Sequence, residues 1–127
     1  MPDYEASRFD PPAPTARVVL RNPDTGTSVS DVPLLLDTGA DVTLLPRASV
    51  QALGVSPVAD VRYELMGFDG SKSFAPVVMM DMIFLNRAFR GRYLLTEDEC
   101  GILGRDILNH VTLLLDGPLQ QWSEQVK

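Results

Sequence analysis

The sequence has few of the residues that build metal centres and disulfide frameworks. It contains one cysteine and one histidine, so an internal disulfide is excluded and no His/Cys cluster is available for a structural zinc. Its 11 Lys and Arg residues are outnumbered by 17 Asp and Glu residues, which gives a formal net charge of −6. No basic run stands out, and this argues against a protein that tracks nucleic-acid phosphates. We therefore expect neither a metal nor a nucleic-acid partner.

Long apolar runs are also missing. No stretch approaches the roughly 20 apolar residues that cross a bilayer, and residues 1–5 are acidic and lack the apolar segment of a secretory signal. Hydrophobic residues make up 45% of the 127-residue chain and charged residues 22%, which is typical of a globular domain and unlike a disordered chain. The sequence predicts one soluble, cytosolic domain with no membrane partner.

Three segments can be distinguished along the chain. Residues 1–15 hold four of the ten prolines, and because proline removes a backbone donor and fixes φ, we expect a flexible, proline-rich arm there. Residues 16–118 contain many short β-type runs separated by turn residues, with helix signals only near residues 46–53 and 106–110. This pattern predicts an all-β, barrel-like domain. Residues 119–127 form a tail that either adds a last strand or frays.

The most informative segment places a carboxylate directly after an apolar strand. The leucine run 34–36 suggests a strand buried on both faces, and Asp37 follows it at once. Such an acid is costly unless it is paired or used, while Thr38 offers a hydroxyl and Gly39 permits close approach of backbone or ligand. A second Asp-Thr-Gly, at 24–26, follows an Asn-Pro pair instead of an apolar strand, and we interpret it as a hairpin turn. The context therefore favours a functional role for Asp37 over an ordinary turn.

Two segments resemble the signatures of retropepsin-type aspartic proteases. The first reads Leu35-Leu36-Asp37-Thr38-Gly39-Ala40-Asp41-Val42-Thr43. The second is an apolar pair and a glycine followed by arginine and a short helix, and reads Ile102-Leu103-Gly104-Arg105-Asp106-Ile107-Leu108. The two segments occur in the same order as in the family, and the sequence between them predicts β-hairpins. The resemblance covers roughly residues 17–117. It is closer to the cellular, bacterial-type members than to the viral ones, and it implies a retropepsin-like acid-protease barrel with one or two short helices.

The resemblance also implies a mechanism in which Asp37 is the catalytic carboxylate. In the family, two such carboxylates, one from each half of the site, hold one water between them. Like charges at that distance cannot both ionise comfortably, so the pair keeps one proton and titrates as a unit. One carboxylate takes a proton from the attacking water while the other protonates the scissile carbonyl oxygen. Neither a metal nor another cofactor is required. The family pattern assigns the active-site loop to three residues: Thr38, Gly39 and Ala40.

Only one Asp-Thr-Gly follows an apolar strand, and the chain is too short for the two-lobed, single-chain version of the fold. The second Asp37 must therefore come from a second copy across a two-fold axis. The resemblance implies a homodimer that acts on a polypeptide, with Thr38 bonding across the axis and the chain ends, including residues 119–127, contributing to the dimer sheet. It also places Arg105 near Asp41 as a supporting ion pair, which would cost about 3–5 kcal/mol to break on one side if it were buried.

The hairpin between residues 61 and 82 corresponds to the family's flap, which closes over an extended peptide. We expect its tip at four residues: Gly67, Phe68, Asp69 and Gly70. Lys72 follows shortly after, and the tip is less glycine-rich than in the viral members. An ordinary surface hairpin that does not close tightly is the alternative.

Other chemistry-bearing residues favour structural roles. Cys100 is interpreted as a packing residue, His110 lacks a nucleophile in an evident motif, and the acidic run 97–99 lacks ligand spacing and predicts a solvated loop. Trp122 is a candidate anchor for the dimer interface. Two alternatives to a constitutive peptidase stay open: a dimeric peptide-binding or assembly module with negligible hydrolysis, and a resting monomer that association activates.

Overall fold

Strands dominate the chain in the computed structural model, which describes residues 3–58, 62–66, 70 and 72–126. The strands are β1 Tyr4–Glu5, β2 Ala13–Arg21, β3 Ser28–Leu36, β4 Leu44–Pro46, β5 Arg62–Met66, β6 Lys72–Phe84, β7 Arg87–Thr96, β8 Gly101–Leu103, β9 Leu113–Asp116 and β10 Gln121–Glu124. Two short helices interrupt them, α1 Arg47–Gln51 and α2 Arg105–Leu108. In the part of the chain that is described, no helix has the length and apolar character needed to cross a membrane. The predicted all-β class is confirmed.

Six of the strands close into a barrel. The hydrogen-bonded order runs β2-β3-β8-β4-β7-β6, and β6 pairs again with β2. The closure depends on an irregularity in β2 between Val18 and Leu20, where the register with β3 shifts and pairing with β6 begins at Val19. A bulge bends a strand and increases its twist, which allows one strand to serve two neighbours. The predicted barrel is therefore confirmed.

The barrel encloses a core of aliphatic and sulfur-containing side chains. On β6, Val78, Met80 and Met82 are fully buried while Met79 between them is 41% exposed, as expected when successive side chains point to opposite faces of a strand. Leu34 of β3 is also fully buried. Each such side chain stabilises the fold by about 1.5–3 kcal/mol through burial. The burial of Leu34 therefore fixes β3 close to its C-terminal end at Leu36.

The N-terminal arm is folded against the barrel, which corrects the expectation of a flexible arm for residues 3–15. Tyr4 lies opposite Pro14 in an antiparallel pairing of β1 with β2, and its amide donates to the carbonyl of Gln120 at 3.0 Å. Glu5 forms an ion pair with Arg8 at 2.6 Å. The prolines at 11 and 12 lie between β1 and β2, where the chain reverses, so they do not remove donors from the pairing.

The Asp-Thr-Gly at 24–26 lies in the turn between β2 and β3, as predicted. The amide of Asn22 donates to the carbonyl of Thr27 at 2.8 Å, and that of Gly26 donates to the carbonyl of Asn22 at 2.9 Å. Gly26 has φ of +76°, a conformation that glycine adopts at little cost. The two Asp-Thr-Gly segments therefore occupy different structural contexts. One closes a hairpin at the surface, and the other follows β3, in which Leu34 is fully buried but Leu35 and Leu36 are only partly buried, so the predicted burial of the leucine run on both faces is not complete.

Candidate active site

The Asp37 loop begins where two parallel strands end side by side. β3 pairs in parallel with β8, with Leu36 opposite Leu103, and the Asp37 amide continues the ladder by donating to the carbonyl of Leu103 at 3.0 Å. Leu103 is fully buried, whereas Asp37 is half-buried. The backbone of Asp37 is thus fixed to the barrel while its carboxylate stands at the surface of the fold.

The loop itself orients the carboxylate. Oδ1 of Asp37 accepts a hydrogen bond from the amide of Gly39 at 2.9 Å, and the carbonyl of Asp37 accepts one from the amide of Ala40 at 3.2 Å. A Cβ atom at position 39 would lie 3.1 Å from Oδ1, so a side chain there would crowd the carboxylate. Thr38 and Gly39 are exposed. Both residues are therefore accessible to a substrate or a second chain.

Arg105, in the second signature segment, donates two hydrogen bonds to carbonyl groups of this loop. The amide of Arg105 donates to the carbonyl of Ala40 at 2.8 Å, and Nη1 of Arg105 donates to the carbonyl of Thr38 at 2.6 Å. Arg105 is thus joined to the loop through two backbone carbonyls, and its expected ion pair with Asp41 stays a prediction. The supporting position of Arg105 beside the loop is the one that the sequence suggested.

Sequence reasoning missed a set of hydrogen bonds between the buried Thr43 and the exposed Asp106. The Thr43 hydroxyl donates to Oδ1 of Asp106 at 2.7 Å and accepts from the amide of Gly104 at 3.0 Å, and the Thr43 amide donates to Oδ2 of Asp106 at 3.1 Å. Thr43 is fully buried. The only available signals were a threonine within an apolar β-type run and an acid directly after Arg105. Together these bonds join the end of the loop to the start of α2.

A small apolar cluster lies beside the loop, separate from the main core. Val77 and Leu94 are buried in it, and the partly buried Val42 and Leu44 pack against them. Val42 and Leu44 follow the loop directly in sequence. The chain therefore passes directly from the polar loop, which offers main-chain groups and carboxylates, into a partly buried apolar cluster.

The flap prediction is only partly within the described structure. β5 and β6 pair as antiparallel arms of a hairpin, with Met66 opposite Lys72. Of the predicted tip, Gly70 is exposed with φ of +82°, a left-handed conformation that suits glycine in a turn. The other three tip residues, Gly67, Phe68 and Asp69, lie outside the described residues. The role of this hairpin as a flap stays a prediction.

Three residues weighed from the sequence lie outside the Asp37 loop. Burial raises the pKa of the half-buried Cys100 thiol, which lowers its thiolate fraction. The His110 ring lies 6.2 Å from that of Phe89. Trp122 is buried and donates through Nε1 to the carbonyl of Thr15 at 2.9 Å. It therefore anchors the tail to its own chain, which corrects its assignment as a candidate interface anchor.

The closed six-stranded barrel and the Asp-Thr-Gly loop at the end of β3 define a retropepsin-like fold. The family model for retroviral aspartyl proteases matches residues 13–116, and the chain belongs to that family. Among solved structures it is similar to the EIAV protease complexed with the inhibitor HBY-793, with a TM-score of 0.55 and 26% sequence identity over 77% of this chain and 86% of that chain. The comparison with curated proteins finds no match.

Proposed function

We propose that this protein is an aspartic endopeptidase whose active site forms between two copies of the chain. The position of Asp37 carries the proposal. Its backbone is fixed by the bond to Leu103 and one carboxylate oxygen is oriented by the Gly39 amide, in a chain that belongs to the aspartyl protease family. One protomer supplies one such carboxylate, and a two-fold axis beside the loop supplies the other.

In this mechanism the two Asp37 carboxylates share one proton and hold a water molecule between them. The ionised carboxylate takes a proton from the water, whose oxygen attacks the scissile carbonyl carbon, while the protonated carboxyl donates its proton to the carbonyl oxygen. Collapse of the tetrahedral intermediate breaks the C–N bond, and the leaving amine takes a proton. The rigid loop contributes by fixing the carboxylates before the substrate arrives, which lowers the reorganisation needed in the transition state.

An extended peptide with apolar side chains is the substrate class that fits the surroundings of Asp37. The exposed loop at Thr38 and Gly39 offers main-chain groups to a peptide backbone, which is the usual way to bind an extended strand. Val42 and Leu44, which follow the loop in sequence, add partly buried apolar surface. The hairpin of β5 and β6 would cover the bound peptide and exclude water from the reaction.

The direct test compares two substitutions in the two Asp-Thr-Gly segments. Asp37→Asn should leave a folded protein that cleaves no peptide, whereas Asp24→Asn, in the surface turn, should keep full activity. Both variants and the unsubstituted chain would be digested against a broad peptide library between pH 4 and pH 8, with and without a statine-type transition-state mimic. Normal cleavage by Asp37→Asn would contradict the assignment of Asp37 as the catalytic carboxylate. Peptide binding without cleavage at every pH would instead favour a binding module.

A further inference from the structure

Three arginines lie together on the outer surface of the barrel, around one face of β6. Asp81 of β6 lies opposite Arg21 of β2 on one side and Arg90 of β7 on the other, and Met79 of β6 lies opposite Arg92 of β7. Residues two apart on a strand point to the same face, and the side chain between positions 79 and 81 is fully buried in the core. These five side chains therefore share the outer surface, and we call them the arginine face.

The buried carboxylate of Asp81 holds two of the arginines in place. Nε and Nη2 of Arg90 donate to it at 2.8 and 3.1 Å, and Nη2 of Arg21 donates to it at 3.1 Å. The Arg90 and Arg21 side chains are nevertheless 66% and 41% exposed, and Nη1 of neither one bonds to a residue that the structure describes. Both guanidinium groups are thus oriented by Asp81 and keep N–H donors for a further acceptor.

Arg92 is not held by a carboxylate in this way. It is exposed, and it makes no hydrogen bond or ion pair with any of the described residues. The planar guanidinium group presents parallel N–H donors that match the two oxygens of a carboxylate. Arg92 therefore adds an unused anion-binding group beside the two that Asp81 orients.

A hollow of about 390 Å³ adjoins Met79. Its walls come from the turn between β2 and β3 and from the segment that follows α1, and Met79 and Val58 contribute apolar surface to it. Both walls are fixed to the barrel, because Nδ2 of Asn22 donates to the carbonyl of Leu53 at 3.0 Å and the Val58 amide donates to the carbonyl of Val77 at 2.7 Å. The hollow is therefore formed before any ligand binds, which reduces the ordering that binding would require.

The charge of this region is opposite to that of the whole chain. Asp24 is exposed in the wall of the hollow. The hydrogen bonds and the charge of Asp81 raise the pKa of Arg90, and the charge of Asp24 adds a smaller contribution in the same direction. Among the described residues of the arginine face and the hollow, three arginines face two carboxylates, whereas the chain as a whole has a net charge of −6. The region therefore attracts anionic groups.

We propose that this region binds an acidic peptide segment of a partner protein, with an apolar side chain of that segment seated in the hollow. The apolar side chain packs against Met79, whose flexible thioether adapts to side chains of different shape. The flanking carboxylates pair with Arg92 and with the remaining donors of Arg21 and Arg90. The interaction surface lies on β2, β6 and β7 and does not involve Asp37, so it stands whether or not the chain is a peptidase.

An acidic peptide matches this region better than a nucleic acid does. Met79 is 41% exposed and is, among the described residues, the large exposed apolar side chain that lies outside positions 114–126. An apolar residue of a peptide can cover it, whereas bases need an aromatic platform, and no aromatic residue is found among the described residues that line the hollow. A short acidic segment also ends within reach of the three arginines, whereas a phosphate backbone continues past them onto an acidic chain.

Fluorescence anisotropy with a fluorescein-labelled Glu-Glu-Leu-Glu-Glu peptide tests the role of the arginines. Every variant carries Asp37→Asn, so that the probe is not cleaved. Arg92→Gln should raise the Kd about fivefold or more, because it removes the unused guanidinium group without unpairing Asp81. Arg17→Gln is the matched control, since it removes the same charge from a 50% exposed side chain of β2 that faces Glu5, and it should leave the Kd unchanged. Equal weakening by both substitutions, or no binding of the probe at low ionic strength, would overturn the proposal.

A second comparison tests the hollow. Met79→Gln should raise the Kd about threefold or more, because the leucine of the probe loses apolar contact. Leu119→Gln, which alters an exposed apolar side chain in the turn between β9 and β10, should leave it unchanged. A Glu-Glu-Ser-Glu-Glu probe that binds as tightly as the leucine probe would contradict the seat for an apolar side chain. A single-stranded oligonucleotide that binds more tightly than the leucine probe would overturn the assignment to a peptide.

Discussion

The Thr43 hydroxyl donates a 2.7 Å hydrogen bond to Oδ1 of Asp106. The same hydroxyl accepts from the Gly104 amide, so its single proton is committed to the carboxylate. The bond joins the strand that leaves the Asp37 loop to the first turn of α2, and Arg105 of that turn holds the Thr38 carbonyl. The loop therefore depends on the Thr43 hydroxyl, which belongs to a fully buried residue and both donates and accepts a hydrogen bond within the protein.

Replacing Thr43 by valine should destabilise the protein by about 1–3 kcal/mol, because the shape is kept while the Gly104 amide and the Asp106 carboxylate each lose a partner. Urea denaturation measures the change, and hydrogen exchange at Gly104 reports its cause. Thr43→Ser is the control: it keeps the hydroxyl and should keep the Gly104 amide protected. Faster exchange in the serine variant than in the valine variant would contradict this role.

Gly104→Ala should be strongly destabilising. A Cβ there would lie 2.6 Å from the carbonyl oxygen of Val42 and 3.1 Å from that of Ala40, and because both neighbours are backbone atoms, relief requires the loop to move, at a cost of about 1–3 kcal/mol or more. Gly117→Ala is the matched control, since no atom lies within 4 Å of its Cβ position. Thermal unfolding of both variants checks the prediction, and equal transition temperatures would refute the close packing inferred at Gly104.

The ion pairs of Asp81 predict that the folded protein loses stability in acid. Its side chain is 3% exposed and is bound by Arg90 at 2.8 Å and by Arg21 at 3.1 Å. The hydrogen bonds from Arg90, and then those from Arg21, lower the pKa of Asp81 despite its burial. Because the folded-state pKa lies below the unfolded one, the stabilisation is present above the unfolded value of about 4 and is lost as the pH falls through the folded value.

Asp81→Asn should therefore be less stable than the unsubstituted chain at pH 7, by about 1–3 kcal/mol, and its stability should fall less between pH 5 and pH 2. Urea midpoints across this range provide the measurement. Asp31→Asn, which alters an exposed acid, should retain the unsubstituted pH dependence. Identical pH profiles for Asp81→Asn and the unsubstituted chain would show that the arginine pair does not depress the titration of Asp81.

Local patterns were sufficient to locate the Asp37 loop and to separate it from the surface turn at 24–26. Both depend on neighbouring residues: a leucine run before Asp37, and an Asn-Pro pair before Asp24. These features could be predicted because burial and turn conformation are set largely by residues within a few positions.

Features that depend on distant pairing could not be predicted in the same way. The arm at Tyr4 is held by Gln120, Trp122 bonds Thr15, and Thr43 bonds Asp106. In each case the partner lies far along the chain, and no local pattern of apolar and polar residues indicates the contact. The proline content of the arm suggested disorder because composition does not show that a strand edge of the barrel is available to receive it.

Mixing the unsubstituted chain with Asp37→Asn tests the shared active site most directly. If each site needs two ionisable Asp37 side chains, mixed dimers are inactive, and after full exchange the activity per unsubstituted chain falls in proportion to the unsubstituted fraction. An equal mixture should therefore show half the activity per unsubstituted chain, while an unrelated folded protein added in the same amount should leave it unchanged. Activity per unsubstituted chain that stays constant at every mixing ratio, under conditions where exchange is shown to occur, would contradict a site built from two copies of Asp37.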